Sequence, residues 1–118
     1  MAVQHVRPGR RNPFRRAVIL DLWDRLCVVC GRSFLDERSV TIEHLVPRSL
    51  GGGGYGNVAP SHYTCNSIRK TKSLIQAAQM VERQFDHIVL RCGIDRAVAW
   101  LNKPHPNKQD DPPVPVEP

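Results

Sequence analysis

A chain of 118 residues has the size of one domain, which argues against a two-domain enzyme built around a large interdomain cleft. Its 17 Lys and Arg outweigh 11 Asp and Glu to give a formal charge of +6. Such a basic balance suits a polyanionic partner, with a surface kept basic for solubility as the alternative. The longest aliphatic run, Ala17 to Leu20, is too short for a membrane span, and no apolar signal segment opens the chain, so an intracellular, cytoplasmic protein is expected.

Composition divides the chain into a basic N-terminal arm over residues 1–13, a folded body over 14–103 and a flexible tail over 104–118 that holds six of the 10 prolines. In that tail Lys108 faces Asp110, Asp111 and Glu117, so the cationic excess belongs to the arm and body. A body of about 90 residues buries only about 60–65% of its unfolded surface and is expected to need a staple.

In chain order, Phe14, Val18, Trp23 and Leu26 repeat at helical spacing, with Arg15 and Arg16 in the first turn. Cations there oppose the helix dipole unless phosphate lies nearby, so both arginines are nucleic-acid-binding candidates. Cys27 to Gly31 reads as a tight turn and Val40 to Ile42 as a strand of a small hairpin-like unit. Gly51 to Gly54 with Gly56 form a loop with no phosphate-loop pattern. Ser61 is a candidate cap for a helix running to about Lys72, which would place Asn66 and Lys70 on one face. Leu74, Ala78, Val81, Phe85 and Ile88 form an apolar stripe, read as core or, alternatively, as a dimer seam, with Gly93 as its stop. Ile94 to Asn102 completes the body as a short helix, with Trp100 and Leu101 as packing residues and Pro104 ending it.

The staple is visible in the cysteines. Cys27 and Cys30 are separated by two residues, and so are His62 and Cys65. Two such knuckles present four ligands to one tetrahedral zinc, and a Cys3His set leaves no vacancy for substrate. Disulfide or redox chemistry is the alternative, with Cys92 left over.

Between the knuckles lies Ile42-Glu43-His44-Leu45-Val46-Pro47-Arg48, followed by Asn57 and then Cys65-Asn66-Ser67-Ile68-Arg69-Lys70. Phosphodiester hydrolysis needs a general base, a cation that stabilises charge, and groups that hold both in line. His44 suits the base because its ordinary pKa leaves much of it neutral near pH 7. Glu43 and the Asn66 amide oxygen suit a hard divalent ion. From Cys27 to about Lys72 the sequence resembles the HNH endonucleases, the ββα-metal or His-Me finger nucleases, in their four-ligand zinc form.

The resemblance implies a small α+β fold, a zinc-stapled ββα-metal core with an N-terminal helix and additional C-terminal helices. It also implies a DNA endonuclease in which His44 is the base, Asn57 orients the His44 loop, and Glu43 with Asn66 holds Mg2+ or another divalent cation beside the structural Zn2+. Arg48, Arg69 and Lys70 are candidates for phosphate contacts. Glu43 replaces the family's more frequent Asp, His62 the usual Cys of the second knuckle, and Asn66 the third histidine. Rival expectations are a non-catalytic zinc-containing nucleic-acid-binding module, or an accessory subunit of a DNA-processing or phage packaging machine, in the host cytoplasm if phage-encoded. The chain is expected to be a monomer or a weak homodimer.

Overall fold

The computed structural model describes residues 13–45 and 57–116. The basic arm, Arg48 and the glycine loop lie outside the described residues. Helix α1 (Pro13–Leu22) opens with proline at its first position, where a missing N–H costs nothing. It buries Ile19 and Leu20. The helical spacing predicted continuation to Leu26, but Asp24 and Arg25 take left-handed backbone, with φ of 53 and 59°. The Arg25 N–H closes the end by donating to the Leu20 carbonyl at 2.7 Å. Trp23 is thereby turned out of the helix, and its indole N–H donates to the Val58 carbonyl at 3.2 Å.

A bridge between Leu26 and Ser33 closes the first knuckle. Gly31 supplies the φ of 74° that lets its N–H reach the Cys27 carbonyl at 2.9 Å. A single turn of 3-10 helix, Glu37–Ser39, then feeds β1 (Val40–His44).

Strand β1 pairs antiparallel with β2 (Val58–His62), in the register Val40 to His62 through His44 to Val58. Ser61, expected to cap the following helix, is a strand residue instead. Its hydroxyl lies 2.9 Å from that of Thr41, which also donates to the Ser61 carbonyl at 3.1 Å. Pro60 is tolerated because each strand of a two-stranded sheet is an edge, and its carbonyl accepts from the Val28 N–H at 2.9 Å.

Helix α2 (Tyr63–Arg69) starts directly after β2 with His62 at its N-cap. Lys70 lies beyond the helix end, not one turn along its face as the spacing predicted. The chain reverses there in a tight turn, with the Lys72 N–H donating to the Arg69 carbonyl at 2.8 Å. Lys70 takes φ 49° and ψ −111°, a conformation that favours glycine. Relief of that strain outweighs glycine's extra chain entropy, so Lys70→Gly is expected to raise stability by about 0.5–1 kcal/mol. Urea titration checks this, with Lys70→Val shifting the midpoint the other way.

Ser73 caps α3 (Leu74–Cys92) in a reciprocal box with Gln76, a signal the sequence carried in plain form. Ala77, Val81 and Phe85 are buried, with Leu74 and Ile88 packed beside them, while Ala78, expected in the stripe, is only half-buried and Ala77 takes its place in the core. That stripe is therefore spent inside the chain, against a core shared with α4 (Ile94–Leu101), and does not form an outward seam. Gly93, at φ 92°, separates the two helices.

The described part of the tail turns through a short 3-10 helix (Pro106–Lys108), then runs on without regular structure, and is docked on the body. The His105 N–H donates to the Arg38 carbonyl at 2.9 Å, and the Glu37 N–H to the Val114 carbonyl at 2.7 Å. Arg38 donates to the Asp111 carbonyl at 2.6 Å, and Val116 packs on the core. Proline removes donors but leaves carbonyls, and the strap is held largely through backbone groups that composition cannot reveal.

Asp36 anchors this region. Its carboxylate caps the 3-10 turn by accepting from the Arg38 N–H at 2.9 Å and pairs with the Arg38 guanidinium at 2.7 Å. Burial acts to raise its pKa, but hydrogen bonds from Arg38 and from the Arg38 and Val114 N–H groups outweigh this and hold it below the usual 3.8. A depressed carboxyl pKa contributes stability that is present above the unfolded value and lost as pH falls through the folded one. Tail docking is thus expected to persist at neutral pH and to loosen below about pH 4. Asp36→Ala is expected to cost about 1 kcal/mol through the lost cap alone, read as a lower urea midpoint and faster amide exchange at Glu37.

Candidate metal centre and active site

The fold brings the two knuckles together. Cys27 and Cys30 come from the turn after α1, His62 from the end of β2, and Cys65 from the first turn of α2. Their ligand atoms all lie within 4.8 Å of one another. His62 Nδ1 is 3.4 Å from Cys30 Sγ and 3.8 Å from Cys65 Sγ. With zinc bonds of about 2.0–2.3 Å, the edges of a tetrahedral Cys3His site are about 3.6–3.8 Å, so the donors fit zinc in both chemistry and spacing. Among the described residues this is the one group of three or more His, Cys, Asp or Glu side chains close enough to share an ion. Cys92 stands apart, exposed.

Backbone groups orient the quartet. The Ser33 carbonyl lies 3.1 Å from His62 Nε2; a proton on that nitrogen leaves the Nδ1 lone pair facing the cysteines. The N–H groups of Cys30 and His62 donate to Cys27 Sγ at 3.5 and 3.4 Å, and the Phe34 ring centroid sits 4.5 Å from that of His62. Sequence reasoning missed Ser33 because its contribution is a carbonyl, which every residue has. It also missed Arg32, whose guanidinium makes two bonds to Glu82 at 3.0 and 3.2 Å and lies 3.9 Å from the Phe85 ring centroid. That contact ties the knuckle to α3.

Burial disfavours an imidazolium at His62, but hydrogen bonds to Cys27 and Cys30 prevail and push its pKa up to about 9. The Cys27 thiol is driven far down by hydrogen bonds from Cys30 and Cys65, while Cys65, bonded to Cys27 and Cys30 and buried, is driven up. Binding a divalent ion requires neutral His62 and ionised thiols, so uptake must expel protons.

The remaining candidate residues lie at the end of the sheet and on α2. His44, half-buried, is the last residue of β1 and pairs with Val58. Asn57 is buried immediately before β2, and its carbonyl accepts from the Leu45 N–H at 2.8 Å. That main-chain bond ties Asn57 to the loop leaving His44. Asn66 is half-buried on α2, one residue after Cys65.

Glu43 is 7% exposed, and its Oε1 is paired with the Arg69 guanidinium from the end of α2. Its Oε2 is buried without a hydrogen-bond partner among the described residues. An orphaned carboxylate oxygen is costly unless a cation completes it, so Glu43 fits a divalent ion through this atom. Among the arginine candidates, Arg16 donates to the Val40 carbonyl at 3.4 Å, and Arg15 opens α1. Arg69 is engaged with Glu43, a pairing that no sequence spacing advertises across 26 positions.

A short antiparallel sheet leading straight into a helix, both clasped by a Cys3His cluster, defines a small α+β protein with a zinc-compatible ββα-metal core. The family model for HNH endonuclease matches residues 27–72, and the Cys3His group inside that match is compatible with the family's zinc-binding subtype. No curated protein and no solved structure matches the chain significantly. No helix of the described residues is long and apolar enough to cross a membrane.

Proposed function

We propose that the chain is a metal-dependent DNA endonuclease that nicks one strand per encounter. The observation that carries this reading is the buried Glu43 carboxylate with an unpartnered oxygen, placed next to His44 inside the HNH match. His44 removes a proton from water, and the resulting hydroxide attacks phosphorus as the bond to the 3′ oxygen breaks, that oxygen taking up a proton from solvent. The products are a 5′ phosphate and a 3′ hydroxyl. Glu43 and Asn66 are the residues that would hold Mg2+ or a similar ion, which supplies charge stabilisation at the phosphate and the departing oxygen. Asn57 steadies the loop that carries His44. Zn2+ at Cys27, Cys30, His62 and Cys65 takes no part in the chemistry and fixes the scaffold.

Lys70 and Arg48, with Arg15 and Arg16, supply cationic contacts to the DNA backbone, which position without reading sequence. The test is conversion of supercoiled plasmid to open circle by the full chain in Mg2+, with His44→Ala beside it. Equal cutting by the two would remove His44 from the mechanism. One observation favours a second reading, a zinc-containing nucleic-acid-binding module without chemistry: Arg69 already neutralises Glu43 from within. On that reading wild type binds the plasmid and leaves it supercoiled.

A further inference from the structure

The Glu43–Arg69 pair is the feature that the nuclease reading uses least well. In the sequence Arg69 is a candidate for phosphate contact, yet its side chain is only 14% exposed and is anchored twice. One end donates to Glu43 Oε1, and Nε donates to the Lys72 carbonyl at 3.1 Å. The turn that supplies this carbonyl is the one held by the unusual Lys70 backbone. A guanidinium clamped between a carboxylate and a carbonyl is committed to the protein before any DNA arrives. The remaining carboxylate oxygen, Oε2, is buried and has no hydrogen-bond partner among the described residues.

We propose that Arg69 is a positioning residue, the resident counter-ion of Glu43, which occupies Oε1, offers a divalent cation only Oε2, and so keeps that cation weakly held until a substrate phosphate joins the site. The purpose of this arrangement rests on the nuclease reading, although its geometry does not. The guanidinium cancels the carboxylate's charge and repels an incoming divalent ion in a partly desolvated site. A phosphate brings the negative charge that is otherwise missing. Metal and DNA affinities are then coupled, each strengthening the other by the same factor.

The test is Mn2+ binding to the zinc-loaded full chain without DNA, followed by the electron paramagnetic resonance signal of free Mn2+. Arg69→Gln, which removes the charge and frees Oε1, is expected to bind Mn2+ about tenfold more tightly than wild type. Arg69→Lys keeps the charge and is expected to restore weak binding. The double variant Glu43→Gln/Arg69→Gln is expected to lose the gain, which locates it at Glu43. Equal or weaker Mn2+ binding by Arg69→Gln would overturn the proposal.

Should that variant fail to fold, the 15N resonance of Arg69 Nε in the wild type decides. It is expected to shift during a Mg2+ titration, and an unmoved resonance at saturation would contradict the proposal. Plasmid nicking by wild type keeps the two ideas separable. No nicking with an intact Mn2+ effect removes the nuclease and leaves the counter-ion, whereas nicking with unchanged Mn2+ affinity does the reverse.

Discussion

Stripping the ion from Cys27, Cys30, His62 and Cys65 is expected to unfold the domain, and Cys65→Ser is expected to do the same at neutral pH. A domain of this size is stable by about 5–15 kcal/mol, while a structural zinc contributes about 10–16 kcal/mol to folding. Its removal therefore consumes essentially the whole margin. The core explains why nothing compensates: Cys27 and Cys65 are themselves core residues beside Val29, Phe34 and Val40, so β2, α2 and the first knuckle lose a shared anchor together. The measurement is a thermal melt by circular dichroism with and without a thiol-reactive reagent and chelator. A cooperative transition is expected only with zinc, and an unchanged melt would show that the apolar core suffices.

The sign of the pH effect follows from His62. Its pKa in the metal-free fold is raised to about 9 from 6.5, so across that interval zinc must displace a proton from the imidazole as well as from thiols. Zinc affinity is accordingly expected to climb as pH rises toward 9 and to fall in acid. Chelator competition at pH 6 and pH 8 reads this effect.

His44→Ala is expected to lower the nicking rate by about 10²- to 10⁴-fold, the range that a positioned general base contributes. Zinc content and plasmid binding are expected to stay at wild-type levels. His44 ends β1 opposite Val58 and lies outside the buried core, so its truncation leaves the scaffold's packing in place. Single-turnover cleavage with a labelled plasmid checks the rate, and a gel shift checks binding. A loss of DNA binding equal to the loss of rate would identify His44 as a phosphate contact.

The zinc quartet was legible because soft ligands at paired short spacings have few other uses, and the contact geometry repeats that pattern directly. The α3 stripe was equally plain, because its period and the stop at Gly93 agree. What spacing concealed was local backbone chemistry. Left-handed Asp24 and Arg25 ended α1 four residues early, and neither residue type announces that conformation. Ser61 carried a cap's side chain but a strand's partner in Thr41, and pairing across the sheet decided between them. The tail showed its prolines and hid its carbonyls. At the candidate active site, Glu43, His44, Asn57 and Asn66 could be singled out one by one. The Glu43–Arg69 pair depends on how α2 lies against β1, a tertiary relation absent from any local pattern.

On the proposed function two ions have separate tasks, one closing the scaffold and one serving the reaction, and elemental analysis with plasmid cleavage on a single preparation of the full chain separates them. One tightly retained zinc per chain is expected, with no cleavage until Mg2+ or Mn2+ is added, after which open circles accumulate. Cleavage by the zinc-loaded chain with no added ion, or undiminished cleavage by a folded chain containing no zinc, would contradict this division.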